Sequence, residues 1–434
     1  MGVASLDPPR VPAPILLSMT TAASRTAVST ARPQPILEAF ADRVAQPARH
    51  GVRPGLTMLN GASYGCVPDL VRDAQREMHR RIELDPVRFY KFDLERYSDD
   101  ARQALARLVN CDAGDLALVP NGTVAMSSVI LSLNLEPGDE VIVTNHEYQA
   151  TINELTRVTA RAGARIVVAR VPFPGLTPDA AVEAIEAAVT PRTRLIICSH
   201  ITSATSVKMP VERIVPMARA KGIDTLIDGA HTPGQIAIDL HALRPTYYAA
   251  SCHKWLAASK GTGFLYADPE RQKQIKPVAM SCRTHLSRPE RKAFLCDFDY
   301  VGTEDPTGNL VLPVAIAHLS AQHPDGLAGL QKRNHETVLA GARLVTDAIG
   351  IGQPVPESMI ASMVSLCLPV PEGGAPRGGM FDDALWDALL LDHNIQAPCW
   401  GLAGVHPRLM RVSCQWHNSM ADFERLAEVL PGLL

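Results

Sequence analysis

The sequence predicts an α/β fold with a mostly parallel, doubly wound sheet, and two observations support this prediction. From about residue 57 onward, short apolar runs alternate with stretches of helical character, which is the pattern of successive βαβ units. The chain has 434 residues, of which 46% are apolar, and this is ample material for a large core. We therefore expect a globular protein with one large α/β domain and room for a smaller one.

The alternation runs through eight consecutive segments. In chain order they are the helix AMSSVILSL, the strand EVIVTN, the helix TINELTRVTARAG, the strand RIVVARV, the helix DAAVEAIEAAV, the strand RLIICSH, the helix VERIVPMARAKG and the strand TLIDGA. Strands joined in this way lie side by side in a parallel sheet. A further apolar run, TYYAAS, predicts another strand at residues 246–251.

The remaining segments predict the domain organisation. Residues 1–32 are rich in Ala, Ser, Thr and Pro without apolar periodicity, so we expect a disordered arm. Residues 33–56 are expected to contribute a helix that packs with a smaller domain, and residues 57–310 to form the large domain. Residues 311–434 predict that smaller α+β domain. Its segments are a long helical stretch, LVLPVAIAHLSA through ETVLAGARLVTDAIG, the strands SMVSLCLPV and LMRVSCQW, and the Gly/Pro-rich loop PEGGAPRGG.

Composition narrows the class of partner. Forty-two basic and 45 acidic side chains give a formal net charge of -3, which argues against binding to nucleic acid or an anionic membrane. No apolar run approaches the roughly 20 residues of a membrane helix, and the N-terminus lacks the basic region of a signal peptide, so we expect a cytoplasmic protein. Nine cysteines without a CxxC pair argue against zinc knuckles and disulfides. Small molecules are the expected partners.

Ligands of open α/β sheets bind outside the carboxyl ends of the strands. The residues that follow the predicted strands are therefore the candidates for a site, and they lie at 146–149, 200–203, 228–231 and 251–255. The last of these is SCHKW, which offers three chemistries. They are a thiol nucleophile, a metal site, and an amine that condenses with a carbonyl group.

Asp228 and Lys254 favour the amine. Asp228 ends the strand TLID, and Lys254 follows TYYAAS, where a charged amine has no packing reason to lie. Pyridoxal phosphate needs both groups, because an amine holds its aldehyde as a Schiff base and a carboxylate pairs with its ring nitrogen. It also needs donors for its phosphate. Residues 121–123, Asn-Gly-Thr, open a helix whose N-terminus suits an anion, and Ser251 and His253 flank the lysine.

The arrangement Asp228-Gly-Ala-His231 followed by Ser251-x-His253-Lys254 resembles the cofactor signature of fold-type I, class V pyridoxal-phosphate enzymes. This group includes cysteine desulfurases, isopenicillin N epimerase and ergothioneine-type C–S lyases, and the likeness is strongest to the epimerase and C–S lyase branch. The likeness extends from about Leu59 to Asn418, through LNGASYG, NGTVAM, NHEYQA, SHITSATS, DGAHTPGQIAIDL, CHKWLAASKGTGFLY, VGTEDPTGNL and RVSCQWHN. It implies a mostly parallel seven-stranded sheet between helices, a smaller α+β domain, and pyridoxal 5'-phosphate as cofactor.

The resemblance also implies roles for residues around the cofactor ring. Lys254 would form the Schiff base and act as acid and base at the substrate's Cα, and Asp228 would pair with the ring nitrogen. His231, helped by Ser203, would lie near the phenolic oxygen. Tyr148 would stack on the ring, where the desulfurases have a histidine that also moves protons, so that histidine-assisted step should be absent.

Phosphate and substrate sites follow from the same resemblance. The phosphate ligands it implies are Gly122, Thr123, Ser251 and His253. Thr303, in VGTEDP, would reach the phosphate of a neighbouring subunit, so we expect a homodimer with a shared active site. Arg411, in RVSCQWHN, would bind the substrate's α-carboxylate, which suits a bidentate guanidinium. The alternative for Arg411 is a surface salt bridge, but it lies in an apolar strand between Met410 and Val412.

The cysteines and a metal site are less favoured alternatives. His253 could activate Cys252 only if their side chains met, yet adjacent residues of an extended segment point to opposite faces. A metal site of His231, His253 and Cys252 lacks a fourth ligand at a sensible spacing, so we predict no metal. Cys399, in QAPCWG, lies where the desulfurases carry a persulfide cysteine, but its spacing does not match convincingly.

The cofactor motifs leave the reaction open, because three bonds at the substrate's Cα can break. Epimerisation needs acid and base groups on both faces, and a tyrosine such as Tyr148 is a poor base because its reference pKa is about 10. We therefore predict a C–S β-lyase acting on a bulky S-substituted cysteine in secondary metabolism, like the ergothioneine and lincosamide enzymes. The alternatives are a decarboxylating oxidative deaminase, an epimerase, and a non-catalytic pyridoxal-phosphate-binding regulator.

Loops outside the cofactor shell would bind the bulk of the substrate. The candidates are Asn60 and Tyr64 in LNGASYG, residues 88–92 (RFYKF), and residues 283–285 (RTH). The alternative for each is a packing or surface role.

Overall fold

The computed structural model of the protein describes residues 33–284, 288–371, 374 and 382–434. Gln34–Leu434 form one unit. The predicted arm 1–32, His285 and most of the Gly/Pro-rich loop lie outside the described residues. The predicted boundary at residue 310 between a large and a small domain stays a prediction.

Twelve strands form three sheets within the described residues. They are β1 Thr57–Met58, β2 Leu116–Val119, β3 Glu140–Thr144, β4 Arg165–Ala169, β5 Thr193–Ser199, β6 Asp224–Gly229, β7 Tyr247–Ser251, β8 Gly263–Ala267, β9 Met363–Cys367, β10 Ile395–Gln396, β11 Cys399–Leu402 and β12 His406–Ser413. The central sheet has seven strands in the order β2-β8-β7-β6-β5-β3-β4. The strands of this sheet pair parallel except at β8, which pairs antiparallel with both β2 and β7, so the predicted mostly parallel seven-stranded sheet is confirmed.

The helices of the described residues connect these strands, and several of them pack against the central sheet. They are α1 Gly61–Tyr64, α2 Asp69–Leu84, α3 Pro86–Arg88, α4 Leu94–Val109, α5 Gly122–Leu131, α6 Gln149–Ala162, α7 Pro178–Ala187, α8 Val211–Ala220, α9 Leu240–Leu243, α10 Ala293–Phe298, α11 Thr307–Leu310, α12 Leu312–Ser320, α13 Gly326–Ile349, α14 Ala384–Leu391 and α15 Met420–Val429. All eight segments of the predicted alternation are present. The long helical stretch after residue 310 is two helices, α12 and α13, because Pro324 interrupts it.

Burial on both faces explains why the central strands are continuous apolar runs. All five residues of β3 are buried. Val141 and Val143 belong to one core cluster, whereas Ile142, between them, belongs to another. Successive strand residues point to opposite faces, so the sheet is covered on each side, as parallel sheets are.

A second sheet, antiparallel and ordered β11-β12-β9, is built from residues near the C-terminus. The sequence predicted β9 and β12 but not β11, which has only four residues and includes a glycine. β1 pairs with β10 in a small parallel sheet. In residues 33–56 the expected helix is a 3-10 segment, Glu38–Arg43. None of the described helices is long and apolar enough to cross a membrane.

Candidate active site

The candidate site lies at the carboxyl ends of β5, β6 and β7. Asp228 is the next-to-last residue of β6 and is 6% exposed. Its Oδ1 accepts a hydrogen bond of 2.9 Å from the backbone N–H of Ala230, and no described residue donates to its second oxygen. Burial raises the pKa of the Asp228 carboxyl, opposed by that hydrogen bond and by the charge of Lys254. One carboxyl oxygen is thus fixed and the other is available to a ligand.

Lys254 follows β7 and faces His231. The Lys254 Nζ lies 3.2 Å from Nε2 of His231, and the indole N–H of Trp255 donates to Nδ1 of His231 over 3.4 Å. Because an indole nitrogen only donates, the proton of the neutral His231 ring lies on Nε2, which can donate to an uncharged Lys254 amine. Burial lowers the pKa of Lys254 to about 8 and that of His231 well below its usual range.

The N-terminus of α5 lies beside the lysine segment. The Asn121 side chain caps the helix by accepting from Val124 N–H over 2.9 Å, and Gly122 N–H donates to Ser251 Oγ over 3.0 Å. A Cβ at Gly122 would lie 3.0 Å from Ser251 Oγ and 3.4 Å from the Cβ of Ala230, so a side chain here would crowd the site. Thr123, the next residue, is exposed.

His253 and Gly65 hold the lysine segment in place. Nδ1 of His253 donates to the carbonyl oxygen of Thr262 over 3.1 Å, and burial lowers the pKa of His253 to about 4. Gly65 has a φ of +71°, and a Cβ there would lie 1.9 Å from the carbonyl oxygen of His253. Only glycine fits this approach, so the loop LNGASYG packs directly against SCHKW.

Arg411 lies in β12 and is 3% exposed. Its Nη1 donates to the carbonyl oxygen of Ser203 over 2.9 Å, and its Nη2 donates to Asn60 Oδ1 over 3.1 Å and to Ser63 Oγ over 2.6 Å. All three acceptors are neutral, and among the described residues no carboxylate pairs with Arg411. The surface salt bridge considered for Arg411 is therefore wrong. Burial lowers the pKa of Arg411 to about 10.

Tyr148 immediately precedes α6, is 39% exposed, and lies near enough to Arg411 to affect the pKa of the guanidinium. Glu147, which sequence reasoning missed, anchors this turn. Its Oε2 accepts from the N–H and Oγ of Ser199 over 3.0 and 2.6 Å, and its Oε1 accepts from Thr144 Oγ1 over 2.7 Å. Burial raises the pKa of Glu147 to about 7. The motif NHEYQA contained the signal, since its glutamate lies three residues after the end of β3.

Several predicted residues lie elsewhere or contribute differently. Ser203 contributes its carbonyl oxygen to Arg411. Tyr64 is 64% exposed at the end of α1, and it lies near enough to Arg411 to affect the pKa of the guanidinium. Thr303 lies with Tyr300, whose hydroxyl is 3.1 Å from Thr303 Oγ1.

The two outer substrate segments contact one another. Arg283 donates to the carbonyl oxygen of Tyr90 over 2.9 Å and its guanidinium lies 4.6 Å from the Tyr300 ring centroid. We call Tyr90, Arg283, Tyr300 and Thr303 the outer cluster. None of the described contacts of these four residues is with Lys254 or Arg411.

Cys252 and Cys399, the two cysteines considered from the sequence, are poor nucleophiles. Cys252 and Cys399 have no exposed surface, and burial raises the pKa of both thiols above their usual range. A thiol that stays protonated does not attack. Among the described residues, no group of three or more His, Cys, Asp or Glu side chains could hold a metal ion.

The fold and site together define a pyridoxal-phosphate enzyme of fold type I. Residues 79–343, more than half of the chain, match the family model described as aminotransferase class V. This protein belongs to the class V aminotransferase family, and the resemblance predicted from the sequence is confirmed.

Known relatives and structures agree with this family. The chain is 31% identical over 392 residues to isopenicillin N epimerase of Amycolatopsis lactamdurans, covering 88% of this chain and 96% of that protein. It is 26% identical over 402 residues to a probable chloroplastic L-cysteine desulfhydrase of Arabidopsis thaliana, covering 88% and 83%. The solved structure of the cystine C–S lyase C-DES with its product cysteine persulfide has a TM-score of 0.76 at 20% identity, covering 87% of this chain and 98% of that one.

Proposed function

We propose that this protein is a pyridoxal-phosphate-dependent C–S lyase that cleaves an S-substituted cysteine by β-elimination. The observation that carries the proposal is the partly buried amine of Lys254, which has no acidic hydrogen-bond partner among the described residues, beside the half-satisfied carboxyl of Asp228. Buried ionisable groups without protein partners are costly unless a ligand meets them. Pyridoxal phosphate would satisfy both groups, because its aldehyde would react with the Lys254 amine and its ring nitrogen would pair with the Asp228 carboxyl.

The residues present fit pyridoxal 5'-phosphate. At the start of α5 the N–H of Gly122 donates to Ser251 and that of Val124 donates to Asn121, whereas the N–H of Thr123 has no acceptor among the described residues and is available to a phosphate. Ser251 and His253 flank the same place. When bound, the cofactor supplies an electron sink that eases the breaking of bonds at the substrate's Cα.

Each nearby side chain has a role in this proposal. Asp228 would hold the proton on the ring nitrogen through its available oxygen. Lys254 would take the proton from Cα, for which a pKa of about 8 is well placed, since catalytic bases work best near the operating pH. His231 would orient the Lys254 amine from 3.2 Å away and lie beside the phenolic oxygen with Ser203. Tyr148 would lie against the ring face.

The substrate would be an S-substituted cysteine, whose sulfur substituent leaves from Cβ as a thiol. Arg411 would bind its α-carboxylate, with Asn60 and Ser63 fixing the guanidinium. The exposed rings of Tyr64 and Tyr148 would pack on an apolar sulfur substituent. The proposal of a bulky conjugate from secondary metabolism rests on the likeness to the ergothioneine and lincosamide enzymes.

We propose that the enzyme works as a homodimer. The outer cluster carries Thr303 and two predicted substrate segments, yet within one chain it does not contact Lys254. A second subunit that presents its outer cluster to this site would bring Thr303 to the phosphate and Arg283 or Tyr90 to the substrate.

Epimerisation is the second candidate, and it is favoured by the relatives named isopenicillin N epimerase. It would need a second acid or base group on the face opposite Lys254. Tyr148 is the predicted residue on that face, and a phenol is a weak base at neutral pH.

Product analysis of a panel of cysteine S-conjugates in deuterated water tests the proposal. We expect the free thiol, pyruvate and ammonia. Deuterium at Cα without fragmentation would establish epimerisation, and carbon dioxide with an aldehyde would establish oxidative decarboxylation. Lys254→Ala should abolish both turnover and the yellow colour of the bound cofactor. A purified wild-type protein that never takes up the cofactor would contradict the whole proposal.

A further inference from the structure

Trp400 lies against the buried Arg411. In the β11–β12 pair, Trp400 is opposite Leu409, and Arg411 is two residues further along β12. Residues two apart share a face of a sheet, so the indole and the guanidinium project from the same side. The Cζ of Arg411 lies 5.0 Å from the Trp400 ring centroid, which is within cation–π distance. The indole therefore supports the guanidinium.

Both side chains have a buried N–H group without an acceptor among the described residues. These groups are Nε1 of Trp400 and Nε of Arg411. The great majority of buried donors in proteins are hydrogen-bonded, because an unmade bond costs the full desolvation of the group. Two such donors on neighbouring side chains indicate that an acceptor arrives from outside the chain.

The other three tryptophans of the sequence provide an internal comparison. Trp386 Nε1 donates to Gln396 Oε1 over 2.8 Å, Trp416 Nε1 donates to the carbonyl oxygen of Cys66 over 3.4 Å, and Trp255 Nε1 donates to His231. Trp400 is therefore the exception among the four. Its indole lies beside the one charged group of β12 that has only neutral acceptors.

We propose that Trp400 is a specificity-determining residue that donates a hydrogen bond from Nε1 to the carboxylate held by Arg411. This inference deepens the proposed function and rests on it. Arg411 supplies the positive charge for the carboxylate. The indole N–H of Trp400 is uncharged, and it can only donate a hydrogen bond, in the direction of the N–H bond. The pair favours an ionised carboxylate over an ester, because hydrogen bonds to charged acceptors are stronger. The site would therefore select free amino acids.

The test separates the two contributions of the indole. Trp400→Phe keeps an aromatic face against Arg411 but removes the N–H, and Trp400→Leu removes both. The holoenzyme is titrated calorimetrically with 3-(methylthio)propanoate, a carboxylate without the reacting amine. Steady-state kinetics are measured with S-methyl-L-cysteine and with its methyl ester. Trp386→Phe is the matched control, since the indole hydrogen bond that it loses is made to Gln396 and not to an acceptor at Arg411.

We expect Trp400→Phe to weaken binding of 3-(methylthio)propanoate about tenfold, and to raise KM for S-methyl-L-cysteine similarly with little change in kcat. For the methyl ester, Trp400→Phe should change KM much less. Trp400→Leu should weaken binding of 3-(methylthio)propanoate further. Trp386→Phe should change neither the affinity for the propanoate nor KM for S-methyl-L-cysteine. Equal effects on acid and ester, or wild-type affinity of Trp400→Phe for the propanoate, would overturn the proposal. Failure of the wild type to release a thiol would instead count against the proposed function, because the calorimetric arm does not need turnover.

Discussion

Arg408 and Arg411 lie three residues apart in β12, and both are almost fully buried, with 5% and 3% of their surfaces exposed. Arg408 donates to both oxygens of Asp383, from Nε over 2.8 Å and from Nη2 over 2.9 Å. Arg411 has only a carbonyl, an amide and a hydroxyl as acceptors. An odd spacing places the two side chains on opposite faces of the strand. One face of β12 carries the ion pair of Arg408 with Asp383, and the other face carries Arg411, a cation that is available to a ligand.

The pKa values of the two guanidinium groups move in opposite directions. The hydrogen bonds with Asp383 raise the pKa of Arg408, whereas burial lowers that of Arg411 to about 10. A buried charge is stable only when it is paired. The comparison therefore separates a residue that serves the fold from one that serves binding, although their burial is the same.

The largest expected effect is on stability, at Arg408. Arg408→Met leaves the Asp383 carboxylate buried without its partner, so the free energy of unfolding should fall by about 3–5 kcal/mol. Denaturant titration measures this change, and KM should stay at the wild-type value. Arg408→Met combined with Asp383→Leu should recover most of the loss, because no uncompensated charge remains. A double variant as unstable as the single one would show that the ion pair is not the cause.

Arg411→Met should have the converse effect. Loss of the carboxylate partner should lower kcat/KM for an S-substituted cysteine by roughly a hundredfold or more. The free energy of unfolding should stay within about 1 kcal/mol of the wild type, since the lost hydrogen bonds are offset by removal of an unpaired buried charge. Steady-state kinetics and denaturant titration on the same preparation test both halves. A large loss of stability would place Arg411 with Arg408 as a structural residue.

Lys254 extends the comparison to a partly buried cation that can lose its charge. Its pKa is about 8 in the folded protein against an ordinary 10.5, so between these pH values the unfolded chain binds more protons than the folded one. The stability of the cofactor-free protein should therefore rise with pH from about 8 to 10.5. Lys254→Met should lack this rise. Parallel curves for the two proteins would mean that Lys254 is not desolvated.

Glu147 is the acidic counterpart of Lys254, and we expect its effect on the free energy of unfolding to be the smallest of the four. Its pKa is about 7 in the folded protein against an ordinary 4.5, so the folded state binds more protons in this window. The stability that Glu147 contributes should be present below pH 4.5 and be lost as the pH rises to about 7. Glu147→Gln should remove that decline, as measured by denaturant titration at several pH values. An unchanged slope would show that the carboxylate is fully stabilised by Ser199 and Thr144.

The parts of the fold that local patterns determine were predictable. Eight alternating segments predicted the central sheet, because each apolar strand and each helix is recognised from the pattern of neighbouring residues in the sequence. Asp228 and Lys254 were predictable since each is a charged residue at or shortly after the end of an apolar strand. The break between α12 and α13 was missed at Pro324, and β11 was too short to stand out from the surrounding loop.

Contacts between distant segments could not be predicted. Ser63 and Trp400 reach Arg411 from α1 and β11, and nothing in LNGASYG or QAPCWG indicates which of their side chains faces the guanidinium. The choice between a salt bridge and a ligand site at Arg411 depended on the absence of a carboxylate in three dimensions. Glu147 is an intermediate case, because its position after β3 was visible but its bonds to Ser199 were not.

The hydrogen bond between Asn60 and Arg411 joins positions 351 residues apart, whereas Lys254 and His231 are separated by 23. Contacts between distant positions carry a larger loop-closure entropy, and they form late when a chain folds. The lysine segment can therefore form before Asn60 and Arg411 come together to bind the carboxylate. Binding of the cofactor would thus require only the lysine segment to be folded, whereas binding of the substrate would also require the contacts of Arg411.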